Sequence, residues 1–143
     1  MSDNLVAKAS VTIDATRAAV WRALVDPATI PKYMFGSTVA SDWREGSPIT
    51  FSGEWQGRGY EDKGTVLVAK PEQRLRYTHF SPLSGLPDVP ESYHTVTIEL
   101  SGDGPRTKVT LTQDKCPSEQ AREEYEKNWA AMLASLKKVV ESR

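Results

Sequence analysis

Two histidines and one cysteine are all the imidazole and thiol chemistry this chain of 143 residues carries. His79 lies in RLRYTHF, in phase with Leu75 and Tyr77. If that face turns inward, an imidazole sits in an otherwise apolar pocket. There it could hydrogen-bond a ligand or act as a general base. The alternative is a histidine near a strand end, satisfied by backbone or water, and the sequence assigns it no partner acid. His94 is in phase with Val96 and Ile98, and the same two readings apply. His79 and His94 are thus the catalytic candidates. Cys116 stands before Pro117 at a strand-to-helix junction. A helix N-terminus there could activate the thiol, whereas a lone cysteine is more often a small buried hydrophobe. These side chains are too few for most structural zinc sites. The chain also lacks a His-Glu-x-x-His pair, a paired-cysteine site, a Gly-rich phosphate loop and a Gly-x-Ser-x-Gly elbow. No metal and no cofactor is expected.

The other concentration of chemistry is aromatic. Residues 41–55 read SDWREGSPITFSGEW, in which Trp43, Phe51 and Trp55 share the odd-numbered register. Core packing is the default role for such residues, but aromatics on a sheet facing one helix also line ligand cavities. Arg44 and Glu45 precede a turn at Gly46 and read as solvated rim charges.

Those side chains must be positioned by elements that the periodicity predicts. Residues 5–13, LVAKASVTI, alternate, with Leu5, Ala7, Ala9, Val11 and Ile13 on one face. Ala15–Val25 carries a stripe of Val20, Trp21, Leu24 and Val25 at helical spacing, with Asp14 or Thr16 as its cap. Asp26-Pro27 ends it and is suited to open a second short helix through Ile30. Strands follow near 37–43, 48–55, 60–69, 73–80, 92–101 and 106–115, separated by Gly- and Pro-rich turns. The segment 80–92, FSPLSGLPDVPES, is the longest irregular stretch, with Leu83, Leu86 and Val89 unusually apolar. It reads equally as a lid or partner surface and as a loop folded back on the core. From Ser118 to about Glu141 the period becomes helical, with Tyr125, Trp129, Met132, Leu133, Leu136 and Val140 on one stripe.

The order β-α-α-β-β-β-β-β-β-α predicts an α+β fold, a curved antiparallel sheet of about seven strands covered by the long helix. A twisted sheet and a straight helix need not touch everywhere, and the gap is a candidate cavity. Its expected wall is Trp43, Phe51, Trp55, Val66, Tyr77, Val96 and Ile98, with Tyr125, Trp129, Met132 and Leu133 from the helix. His79 is the polar contact.

The balance of 18 Lys+Arg against 19 Asp+Glu gives a net charge of −1 without a basic stripe, so no nucleic-acid partner is expected. No apolar run approaches the ~20 residues of a membrane span, and no signal peptide is visible. One cysteine excludes an internal disulfide framework. The expectation is one cytoplasmic domain over residues 1–143, monomeric or homodimeric.

The chain resembles the helix-grip fold of the START-like, or SRPBCC, superfamily, and within it the Aha-like relatives of the heat-shock-protein-90 ATPase activator's C-terminal domain. The resemblance rests on Ile13-Asp14-Ala15, Val20-Trp21-Arg22-Ala23-Leu24, Asp26-Pro27, Asp42-Trp43-Arg44-Glu45-Gly46 and Lys63-Gly64-Thr65-Val66. It continues in Arg74-Leu75-Arg76-Tyr77-Thr78, Asn128-Trp129 and Leu133-Ala134-Ser135-Leu136-Lys137. It implies a hydrophobic cavity between sheet and helix, used by relatives for lipids, sterols, polyketides or hormones, and by a minority for cyclase or hydrolase chemistry. Co-chaperone activity goes with larger relatives carrying an added N-terminal domain, which this chain is expected to lack. The leading expectation is therefore a binder of a small hydrophobic molecule of lipid, polyketide or aromatic type. The alternatives are a cyclase- or hydrolase-type enzyme in the same cavity, or a stress-response, chaperone-associated protein with a protein partner.

Overall fold

A computed structural model describes residues 5–34, 36–55, 57–82, 85–102 and 104–142, with the backbone alone at Trp55 and Arg58. Strand β1 (Leu5–Ile13) is followed by helices α1 (Arg17–Val25) and α2 (Ile30–Tyr33). Then come strands β2 (Thr38–Ser41), β3 (Pro48–Trp55), β4 (Arg58–Lys70), β5 (Arg74–His79), β6 (His94–Ser101) and β7 (Thr107–Cys116), and the long helix α3 (Glu119–Glu141). All neighbouring strands are antiparallel. They form one seven-stranded sheet ordered β1-β7-β6-β5-β4-β3-β2. The expected fold class is thus the one observed, a curved antiparallel sheet gripping a C-terminal helix.

Local chemistry explains most boundaries. Thr16, not Asp14, caps α1, its Oγ1 accepting from the Ala19 N–H at 3.2 Å. Ser118 caps α3 through the Ala121 N–H at 3.1 Å. Two expectations are corrected. The second helix begins at Ile30 instead of ending there, with Pro31 in its first turn. Asp26 is spent on the preceding turn, where its carboxylate accepts from the Ala28 N–H and the Thr29 hydroxyl and its carbonyl from the Ile30 N–H. The strand expected over 37–43 stops at Ser41. Ser41 Oγ accepts the Trp43 N–H at 3.0 Å and Trp43 adopts a left-handed φ of 55°, so the chain turns before Trp43 can join the sheet.

The sheet curves where β4 bends. Its first half pairs with β3 as far as Thr65, its second half pairs with β5 from Val66, and the register slips between Val66 and Val68. At the bend Gly64 lies so close to β5 that a Cβ would fall 1.7 Å from the Thr78 carbonyl oxygen. Glu45 is exposed, as expected of a solvated charge, and also braces the same strand by accepting the Ala69 N–H at 3.2 Å.

The packed core occupies one end of the molecule. Ile13, Val20, Leu75, Val109, Leu111, Leu133 and Leu136 are fully buried there. α3 also closes the outer edge of β1. Glu126 Oε2 accepts the Lys8 N–H at 3.0 Å, Lys137 Nζ donates to the Thr12 carbonyl at 3.0 Å, and Glu141 Oε2 accepts the Asp14 N–H at 2.8 Å. That backbone bond, with the Lys137 ammonium second, holds the Glu141 carboxyl below its usual range. No helix among the described residues is long and apolar enough to cross a membrane.

Candidate functional site

Alternate residues of β5, β6 and β7 face α3, and their register puts them in ranks. Leu75, Ile98 and Leu111 pair across the sheet in the packed core. One rank further on, Tyr77, Val96 and Gln113 are paired neighbours, and beyond them His79 faces His94. The same change runs along α3, from buried Leu136 and Leu133 through Met132 to half-buried Trp129 and Tyr125. Apolar rank gives way to mixed rank and then to polar rank, and there sheet and helix part.

Between them is a cavity of about 410 Å³, within the range of about 300–1,000 Å³ usual for small-molecule sites. Phe51, Tyr77, Val96, Trp129 and Met132 supply apolar wall, and Asp62, His79, His94 and Gln113 supply polar groups. No lysine or arginine is among the described lining residues.

The polar groups are held by specific partners. His79 Nε2 lies 2.9 Å from Asp62 Oδ2. A carboxylate oxygen only accepts, so Nε2 carries the proton. Phe51 meets the His79 ring edge-on at 5.2 Å and stacks tilted on Tyr77 at 5.5 Å. His94 Nδ1 lies 2.9 Å from the Asp114 carbonyl oxygen and must donate to it, which leaves Nε2 to act as acceptor in the neutral ring. Tyr125 sits edge-on to that ring at 5.9 Å. Trp129 Nε1 donates to Gln113 Oε1 at 2.6 Å, tying helix to sheet across the cavity and orienting the buried amide.

Among the described residues one buried side-chain polar atom stands without a partner. Asp62 Oδ1 is buried and has no hydrogen bond. Tyr77 is only 5% exposed, and burial pushes its phenol well above the ordinary range. No hydrogen bond to its hydroxyl is found among the described residues. A buried group without a partner marks unmet demand at a site.

The expected wall residues therefore divide. Phe51, Tyr77, His79, His94, Val96, Tyr125, Trp129 and Met132 are brought together on the cavity. Val66 and Leu133 are fully buried in the core, because they face inward at the end where sheet and helix touch. Ile98 and Trp43 line a separate gap of about 30 Å³ behind the cavity floor, which also touches Phe51 and Tyr77. The Trp55 side chain and Leu83 lie outside the described residues. Sequence reasoning missed Met34, Tyr60, Asp62 and Gln113. A usable signal existed for two of these, since Tyr60 and Asp62 are in phase with Val66 along β4. Tyr60 crosses to Ser37 Oγ at 2.5 Å, over a Gly53 whose Cβ would strike its hydroxyl at 2.8 Å.

Several described residues of the loop after β5 are tied down. Phe80 is buried and stacks on Tyr93 at 5.0 Å, Tyr93 donates to Asp88 Oδ1 at 2.6 Å, and Lys63 pairs with Asp88 Oδ2 at 2.5 Å. Leu86 reaches the cavity rim with half its surface exposed. Cys116 is buried, and that burial raises its thiol above the ordinary range, which fits the hydrophobe and not the nucleophile. Among the described residues no cluster of three or more His, Cys, Asp or Glu could hold a metal ion.

A sheet curled around one long helix, with a cavity where the two diverge, is the helix-grip architecture of START-like proteins. The family model described as "Activator of Hsp90 ATPase homolog 1-like protein" matches residues 14–141, and the chain belongs to that family. The solution structure of ChR145 from Cytophaga hutchinsonii is similar at 48% identity, with a TM-score of 0.86 over 99% of this chain and 97% of that one. CalU16 from Micromonospora echinospora has 23% identity and a TM-score of 0.70 over 96% of this chain and 85% of its own. DynU16, a putative protein in the dynemicin biosynthetic locus, has 18% identity and a TM-score of 0.76, over 97% of this chain and 48% of its own. At the last two identities the likeness is one of fold. No curated protein matches the chain.

Proposed function

We propose that the protein binds a small hydrophobic molecule of lipid, polyketide or aromatic type between β5–β7 and α3. The observation that carries this is the cavity itself, about 410 Å³ of space walled by Phe51, Tyr77, Val96, Trp129 and Met132. Removing roughly 300 Å² of apolar ligand surface from water gives about 7.5 kcal/mol before the costs of association. That suffices for useful affinity without catalysis.

Native mass spectrometry against the denatured mass should reveal a co-purified apolar compound, or occupancy by added naphthalene. Val96→Phe tests the location. Val96 is 1% exposed and belongs to the cavity floor, so a phenyl ring there takes up ligand space. Occupancy should fall by about tenfold or more while the protein stays folded, since overpacking costs about 1–3 kcal/mol. Unchanged occupancy in a folded Val96→Phe protein would place the ligand elsewhere.

The Asp62–His79 hydrogen bond favours a second reading, acid–base catalysis in the same cavity. An acid that orients an imidazole is what a general base requires. Replacing both His79 and His94 by glutamine should then cut turnover of the bound compound by about a hundredfold or more. Unchanged turnover would end that reading.

A further inference from the structure

The cavity's polar groups specify more than apolarity. Among the described lining residues Asp62 is the one acidic side chain, and no lysine or arginine among them offsets that charge. The carboxylate has about four acceptor sites. His79 Nε2 uses one of them at 2.9 Å, while Oδ1 is buried and uses none. The last torsion of an aspartate is broad, so a small rotation turns the carboxylate toward an occupant. His94 presents Nε2 as a second acceptor, because Nδ1 is committed to the Asp114 carbonyl. The Tyr77 hydroxyl, in the wall beside these groups, can either donate or accept. The donor side is weaker. The Asn128 amide, the Ser81, Ser92 and Tyr125 hydroxyls and the Gln113 amide, whose oxygen is taken by Trp129, all offer protons, but each is neutral.

We infer that the cavity selects a neutral aromatic or polycyclic molecule that carries a hydrogen-bond donor, a phenol or alcohol, and rejects a carboxylate of the same shape. The hydroxyl donates to Asp62, and the rings lie among Phe51, Tyr77, Tyr125 and Trp129. A carboxylate would bring a second negative charge beside Asp62 with no lysine or arginine among the described lining residues to receive it, and a desolvated like-charge pair is strongly unfavourable. Free fatty acids are excluded on the same ground. This inference rests on the reading of the cavity as a ligand site.

Three probes of one shape test it: naphthalene, naphthol and naphthoate, titrated at neutral pH against the whole protein and followed by NMR shifts of cavity residues such as Val96 and Met132. Naphthol should bind about tenfold or more tighter than naphthalene, and naphthoate about tenfold or more weaker. In Asp62→Asn, which keeps the shape and removes the charge, the gap between naphthol and naphthoate should shrink by about tenfold. Naphthoate binding as tightly as naphthol to the wild-type protein overturns the inference, as does a gap that Asp62→Asn leaves unchanged. Should the variant not fold, the wild-type series decides alone. If naphthalene and naphthol both fail to perturb the cavity residues, the binding reading falls and this selectivity falls with it. If naphthalene binds and the three probes do not separate, only the selectivity is lost.

Discussion

Gly64→Ala should destabilise the protein by about 3–4 kcal/mol and lower its melting temperature by roughly 10 °C. The cause is contact, not backbone strain. An alanine Cβ would sit 1.7 Å from the Thr78 carbonyl oxygen, 2.5 Å from its carbon and 3.2 Å from the His79 nitrogen. All three are backbone atoms, so no side chain can rotate away, and β4 and β5 must separate at the bend. Gly64 lies between Asp62 and Val66 on the inward-facing alternation, so the separation also stretches the Asp62–His79 pair, whose atoms are 2.9 Å apart. Gly59→Ala is the control in the same strand. Its Cβ would meet only the Gly53 carbonyl oxygen at 3.9 Å, and the substitution should be neutral or stabilising by up to about 1 kcal/mol. Urea unfolding followed by circular dichroism measures both. A Gly64→Ala protein within about 1 kcal/mol of wild type would mean that the two strands are not in such close approach.

Leu133→Ala should cost about 3 kcal/mol of folding free energy and barely change ligand affinity. Leu133 is fully buried among residues of the packed core and is not on the cavity wall, whereas its neighbour Met132 is. Truncation leaves a void in the core, whose lining loses its contacts. The affinity of naphthalene should stay within about twofold of wild type, since separated sites add nearly independently. Paired unfolding and titration measurements decide it. A tenfold loss of affinity would place Leu133 in the binding wall after all.

Leu133 also shows where the sequence stops being informative. A period of three and four residues marks the stripe of α3 that faces the sheet, and Tyr125 through Val140 were legible on that ground. The period says nothing about depth along the helix axis. Whether a stripe residue meets packed sheet or open cavity depends on where β5, β6 and β7 diverge from α3, which is a property of sheet curvature. Val66 and Ile98 are inward residues at the packed end for the same reason. Asp62 was missed differently. It sits in YEDKG, which reads as a solvated charged run, and its meeting with His79 is set by the antiparallel pairing of the adjacent Lys63 with Phe80. Its phase with Val66 marks the inward face, but nothing local announces the register that brings it to His79. Trp43 was lost to a single left-handed residue, a conformation that tryptophan rarely takes and its type does not advertise. Element order and fold class were legible because each change of period, from two to three-and-a-half and back, is local.

The three hydrogen bonds from α3 to the edge of β1 have a consequence for the molecule in company. An open strand edge is a template on which another chain can add a strand, and fibres grow from such templates. Here the backbone groups of Lys8, Thr12 and Asp14 are already engaged by Glu126, Lys137 and Glu141. An intruding strand must displace all three side chains, two of them charged acceptors, before it gains a single rung. The opposite edge, β2, is four residues long and offers little to extend. The helix that shapes the cavity is therefore also the sheet's guard against self-association.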